Sequence, residues 1–253
     1  MRSPSGPRRG KTALWPADLA ARLVATSAHP QGRHVPVGEA AVHPPPGDVG
    51  RARALPPSRE EWIAGRGLVE IIEARRSAGL TPGPLSPQDL STVLASAAAP
   101  LPHAFAPRAE LGPALFPLVH DVTDVPPGSY RYDPERHALL PVAEVDWGAT
   151  RENLLLQHEH GEGAVVLFFV VPLAQWLHRF GDRGYRGAAL QVGYLTDRLY
   201  LDAEALGLTY TASGGFAQAR ADQLLGLDGY HHTAVFAFVV GGPRRAQEGR
   251  DGD

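Results

Sequence analysis

Residues 183–216 read RGYRGAALQVGYLTDRLYLDAEALGLTYTASGGF, a run whose spacing governs what is expected around it. Ala188, Ala189, Val192, Leu195, Leu199, Ala203 and Leu206 recur at steps of three and four, one face of an α-helix. Leu190, Tyr194 and Leu201 add apolar surface outside that stripe, which predicts burial on more than one side. Gly187 and Gly193 each cost about 1 kcal/mol of helix propensity against Ala. A helix that keeps them is expected to have another backbone passing close by. Gly207 can enter the left-handed conformation without a clash and is the expected C-cap. Ser213-Gly214-Gly215 then makes a small-residue turn with backbone donors free to meet an anion.

The flanking elements follow from this helix. On its C-terminal side, Ala219 to Leu225 is predicted helical and Thr233 to Val240 a strand, ended by Gly241-Gly242-Pro243. On its N-terminal side, Gln175 to Phe180 reads as a short helix. Val165 to Val171 is a continuous apolar run, expected inside a sheet. Ala149 to His158 reads as a short helix. Ser129 to Tyr132 and Ala138 to Val142 make a hairpin about Asp133-Pro134-Glu135-Arg136, and Phe116 to Val122 is a strand. Ser86 caps a helix that has Pro87 in its first turn and Asp89 in the positive N-terminal field, and that stops near Pro100. Residues 59–76 are expected to form one helix, with Trp62, Ile63, Leu68, Ile71 and Ile72 as its apolar face. Residues 1–54 are a Pro/Arg/Gly-rich arm with a short helix around Pro16 to Thr26, residues 55–242 the folded domain, and residues 243–253 a charged tail. Strands separated by helices, with a hairpin in the middle, define an α+β domain.

Composition removes several classes of function. The chain has 253 residues and a formal net charge of -3, so nothing draws it to nucleic acid or to an anionic membrane. The apolar run from Ala164 to Ala174 is broken by Pro172 and is too short to span a bilayer. The Arg-containing N-terminus has no apolar core behind it, and a cytoplasmic protein is expected. With no Cys there is no disulfide, thiolate metal site or Cys nucleophile. Lys11 is the only lysine, so no catalytic lysine is available to the folded domain.

Four places could carry chemistry. Arg75, Arg76 and Ser77 could hold a phosphate dianion through paired charge-assisted bonds; the bland reading is a positive helix C-terminus. Ser213, Gly214 and Gly215 could let backbone approach a cofactor; the bland reading is a turn from helix to strand. Tyr185 could act as an acid or simply pack. Arg186 could bind a phosphate or pair with a carboxylate. His158 and His160 lack a third ligand nearby and stand in a loop-like stretch, so no metal is expected.

The R-G-Y-R start, the long Ala/Leu helix, Ala-Leu-Gly-Leu and the small turn before Phe216 resemble the C-terminal half of the SagB-type (McbC-like) dehydrogenases. The segment PPGSYRYDP at 126–134 is similar to a hairpin of the same family. The resemblance runs more weakly over about residues 68–241. It implies a nitroreductase-like fold, with a central mixed or antiparallel sheet, flanking helices and a long buried central helix. It implies FMN held between subunits, a homodimer (or a heterodimer), and oxidation of azolines to azoles in peptide natural products. By resemblance, Arg75, Arg76 and Ser77 bind the FMN phosphate, Ser213, Gly214 and Gly215 lie against the flavin, and Tyr185 with Arg186 shapes the catalytic site. Three departures qualify it. Gly79 stands where the family has a basic residue. Ala104 to Pro113 lacks the family's Pro-Ser-Ala-Gly turn. Arg179-Phe180 replaces a Lys-Tyr pair that removes the azoline proton. Two functions are therefore expected of the chain: an FMN-dependent oxidoreductase acting on a peptide or small-molecule intermediate, or a non-catalytic protein of the same fold serving as partner subunit, scaffold or peptide binder.

Overall fold

The computed structural model describes residues 46–76, 79–99 and 111–244. The expected helix near Pro16, nearly all of the arm, Ser77, residues 100–110 and the tail after Arg244 lie outside the described residues.

Seven strands form one sheet: β1 (Arg53–Ala54), β2 (Ala114–Val119), β3 (Gly128–Asp133), β4 (Ala138–Ala143), β5 (Val165–Val171), β6 (Leu208–Ser213) and β7 (Thr233–Pro243). Their order is β1-β4-β3-β2-β5-β7-β6, and each neighbouring pair is antiparallel. The helices are α1 (Glu60–Ala64), α2 (Leu68–Ala74), α3 (Pro87–Ala98), α4 (Trp147–Leu154), α5 (Leu173–Phe180), α6 (Arg183–Ala205) and α7 (Gln218–Leu224). This is the expected α+β architecture, with an antiparallel sheet.

β5 is central because every one of its seven residues is apolar and buried. Val165, Leu167, Phe169 and Val171 turn to the face carrying α3, α5 and α6, while Val166, Phe168 and Val170 turn to the face carrying α4 and α7. Both faces of the sheet are covered, so the run shows no polar alternation.

The helix over 183–205 forms as its spacing predicts, and Gly207 ends it at φ 68°. Its surroundings differ from expectation. Leu190 is 58% exposed, so one side of the helix is open. Backbone does pass close, but at Gly184: a Cβ there would lie 2.3 Å from the carbonyl oxygen of Trp176. Gly187 meets the Trp176 ring instead, and a Cβ on Gly193 would meet nothing within 4 Å.

The helix expected over 59–76 is broken. Gly65-Arg66-Gly67 separates α1 from α2, and only Ile71 of the expected apolar face is buried. Glycine's low helix propensity wins because little packing holds the two turns together. Ser86 caps α3 as expected, its Oγ accepting from Asp89 N–H at 3.0 Å. β6 was not anticipated, although Leu-Thr-Tyr-Thr-Ala-Ser carries β-branched and aromatic residues at strand length.

The far end of α6 is tied to the sheet. Glu204, 2% exposed, accepts from both terminal nitrogens of Arg244 and from the Tyr210 hydroxyl at 2.5 Å. Burial, followed by the bond to Glu204, pushes the Tyr210 phenol up to about 12.

Candidate functional site

A groove of about 470 Å³ opens along the exposed side of α6. Tyr185, Ala189, Gly193, Thr196 and Tyr200 line it from the helix, spaced three and four apart. Val235 and Phe236 close it from the sheet. They can do so together because β7 bulges here: Phe169 pairs with Phe236 and Val170 with Ala234, leaving Val235 extra. β6 stops at Ser213, opposite Ala237, so the sheet edge is bare where the groove begins. Gly193 keeps the floor open, since no side chain projects from it.

The walls are braced by contacts of their own. The Tyr200 hydroxyl accepts from Ala212 N–H at 3.2 Å, and its ring meets Tyr210 and Phe238 edge-on at 5.4 and 5.2 Å. The Thr196 hydroxyl donates to Val192 O at 2.8 Å and so is spent on its own helix.

The candidate residues fall at different distances from this groove. Arg75 comes to its wall: the guanidinium carbon stands 5.3 Å over the Tyr200 ring. Arg76 instead donates to the carbonyls of Glu73 at 2.7 Å and Arg75 at 2.9 Å, closing the end of α2. Ser77 lies outside the described residues. Tyr185 lines the groove and is 54% exposed. Arg186 is exposed beside it, outside the lining.

Gly214 backs the groove: a Cβ there would meet Phe236 at 3.3 Å. Gly215 faces Leu156. Its N–H donates to the buried Ser213 hydroxyl oxygen at 3.2 Å and its carbonyl accepts from Leu156 N–H, so this donor of the turn is engaged rather than free. Ser213 therefore shapes the turn.

Phe180 packs on Trp176 with ring centroids 5.1 Å apart, and Arg179 lies over the Phe180 ring at 5.7 Å. Neither can take a proton at neutral pH: a phenyl ring has none to exchange, and a guanidinium stays charged. Among the groove residues that sequence reasoning missed are Asp197, Tyr200 and Phe236. The α6 spacing that places Tyr185 also places Asp197 and Tyr200 on its side of the helix, whereas Phe236 depends on a bulge that no motif announces. Among the described residues, no cluster of three or more His, Asp or Glu could hold a metal ion, and no helix is long and apolar enough to cross a membrane.

Antiparallel sheet, long central helix and glycine-backed groove together describe a class of α+β domain to which known proteins can be compared. Residues 72–242 match the model of the nitroreductase family, and the chain belongs to that family. A candidate nitroreductase of Methanocaldococcus jannaschii is 28% identical over 123 residues, 46% of this chain and 62% of that protein. A crystal structure of a candidate nitroreductase from Anabaena variabilis superposes with a TM-score of 0.61 at 24% identity, over 69% of this chain and 38% of that one. One from Ralstonia eutropha gives 0.58 at 20%, over 81% and 97%. The E. coli microcin synthetase McbBCD complex with truncated pro-MccB17 bound gives 0.55 at 17%, over 94% and 85%. The match thus spans less than two thirds of the first two relatives' length, and the structural likenesses show the fold.

Proposed function

We propose that this chain is an FMN-dependent oxidoreductase of the SagB type, a cytoplasmic dimer acting on a peptide or small-molecule intermediate of natural-product biosynthesis. The observation that carries the reading is the groove itself, with Arg75 standing over the Tyr200 ring of its wall and Gly214 lying against Phe236. The residues fit such a group. The volume falls in the range of small-molecule sites, roughly 300–1,000 Å³. Arg75, over the Tyr200 wall, supplies a cation for a phosphate, and Gly193 leaves a slot with aromatic sides.

Bound there, FMN supplies two-electron hydride chemistry. Arg75 would hold its phosphate by two parallel charge-assisted bonds. Arg76 already serves its own helix end, so the electrostatic burden rests on Arg75. Gly214, beside Phe236, would admit the ring edge, while Gly215, turned to Leu156, would hold the turn in place. The Tyr185 hydroxyl, at the groove mouth, would orient the substrate, with Arg186 flanking it. Arg179 and Phe180 do not act as a base, so the redox step differs from azoline oxidation that needs one. The microcin synthetase likeness, a complex with a peptide bound, supports a peptide substrate.

A second reading has its own support. Phe180 is committed to packing against Trp176, and Gly79 carries no charge. These favour a non-catalytic member of the fold that serves as partner subunit, scaffold or peptide binder. The purified protein, mixed with FMN and then passed through gel filtration, separates the two. Flavin absorption at about one flavin per chain supports the redox reading. A colourless protein replaces it with the partner-subunit reading.

A further inference from the structure

The groove combines aromatic walls with one charge. Of the residues that line it, Asp197 alone bears a carboxyl group, and none bears an amino or guanidinium group. Its carboxylate is exposed and, among the described residues, engaged by no hydrogen bond or ion pair. The next residue, Arg198, does not neutralise it: its guanidinium donates to the carbonyls of Ser96 at 2.8 Å and Ala99 at 3.0 Å, at the end of α3. Tyr185, Tyr200 and Phe236 present rings to the same space. Aromatic faces carry negative potential and attract organic cations, most strongly where water is displaced. A neutral ligand would leave the Asp197 carboxylate without a counter-charge.

We propose that the groove binds a primary ammonium ion carried on an apolar stem, with Asp197 as its counter-charge and Tyr185 and Phe236 as its aromatic walls. This names the substrate class of the proposed redox site. It rests on that reading in one respect: Arg75 also stands over Tyr200, and a phosphate bound to Arg75 removes a positive charge that opposes the ammonium ion.

The test uses a matched pair of probes, tyramine and 4-ethylphenol, which differ by the amine. Calorimetric titration of the FMN-treated protein at pH 7 should give tyramine the higher affinity by about tenfold, the usual scale of a charge-assisted contact. Asp197→Asn should abolish that preference and Asp197→Glu should retain most of it, while neither changes affinity for 4-ethylphenol. Tyr185→Leu should weaken tyramine more than 4-ethylphenol. In Arg75→Ala without flavin the preference for tyramine should persist, which keeps this result separate from the fate of the flavin reading. Equal binding of the two probes by wild type, or an unchanged preference in Asp197→Asn, overturns the proposal. So does failure of both probes to bind because a second copy of the chain covers the groove.

Discussion

Arg75 and Arg76 are adjacent in sequence and divergent in role. The proposed role predicts that Arg75→Ala weakens FMN binding by about 1–3 kcal/mol in a fluorescence titration, because a dianion loses its charge-assisted partner. Arg76→Ala should leave FMN affinity within a factor of about two while lowering stability slightly, since its bonds run to Glu73 and Arg75 carbonyls. Equal losses in the two variants would argue against the assignment. The glycines of α6 divide in the same way. Gly184→Ala should cost about 1–3 kcal/mol in urea unfolding, because the new methyl would press on the Trp176 backbone. Gly193→Ala should be neutral or slightly stabilising, since its Cβ enters open space, yet should narrow the groove. The sequence named both Gly187 and Gly193 as sites of close approach and passed over Gly184. Composition marks a glycine, but only the crossing of α5 and α6 reveals what it faces.

Elements held together by local pattern were legible; those set by distant partners were not. β5, the hairpin of β3 and β4, and α6 follow from apolar spacing and turn residues within each segment. The strand β6 and the junction of α6 with β7 depend on contacts made elsewhere, and the break between α1 and α2 on packing that is not made there. There Glu204 is subject to opposing influences. Burial raises its pKa, but the bonds from Arg244 and Tyr210 and the Arg244 charge outweigh it, so the folded-state value lies below the ordinary 4.5. A depressed carboxylate contributes stability that is complete above its unfolded value and is lost as pH falls through the folded one. Glu204→Gln should therefore be less stable than wild type at neutral pH, and the gap should close as pH drops below about 4.5. Asp202, two residues earlier, is shifted upward by burial, so only the difference between wild type and variant isolates Glu204. A gap that stays constant between neutral and strongly acid pH would contradict the linkage.

Across the whole molecule, the surface carries apolar residues that the fold does not bury. Leu68, Val69 and Ile72 on α2 and Leu190 on α6 are each more than half exposed, and the two helices pack against one another. Such surface on a lone domain marks an interaction site. The proposed dimer would cover it, and sedimentation at micromolar protein should return twice the chain mass. Val69→Asp combined with Leu190→Asp should return a single chain with unchanged circular dichroism; a wild type that sediments as one chain refutes the dimer. The fold class was legible because the central apolar run and the long helix are nearly self-sufficient. The groove was not, because a bulge, a strand end and an open helix face meet there from separate parts of the chain. The strand order also bears on biogenesis. β5 lies between β2, made before it, and β7, made after α5, α6, β6 and α7. At about 5–20 residues per second, a ribosome leaves one edge of this wholly apolar strand unpaired for some seconds. During that interval the nascent chain offers an aggregation-prone template, and its safe maturation depends on the final strand arriving before a neighbouring chain does.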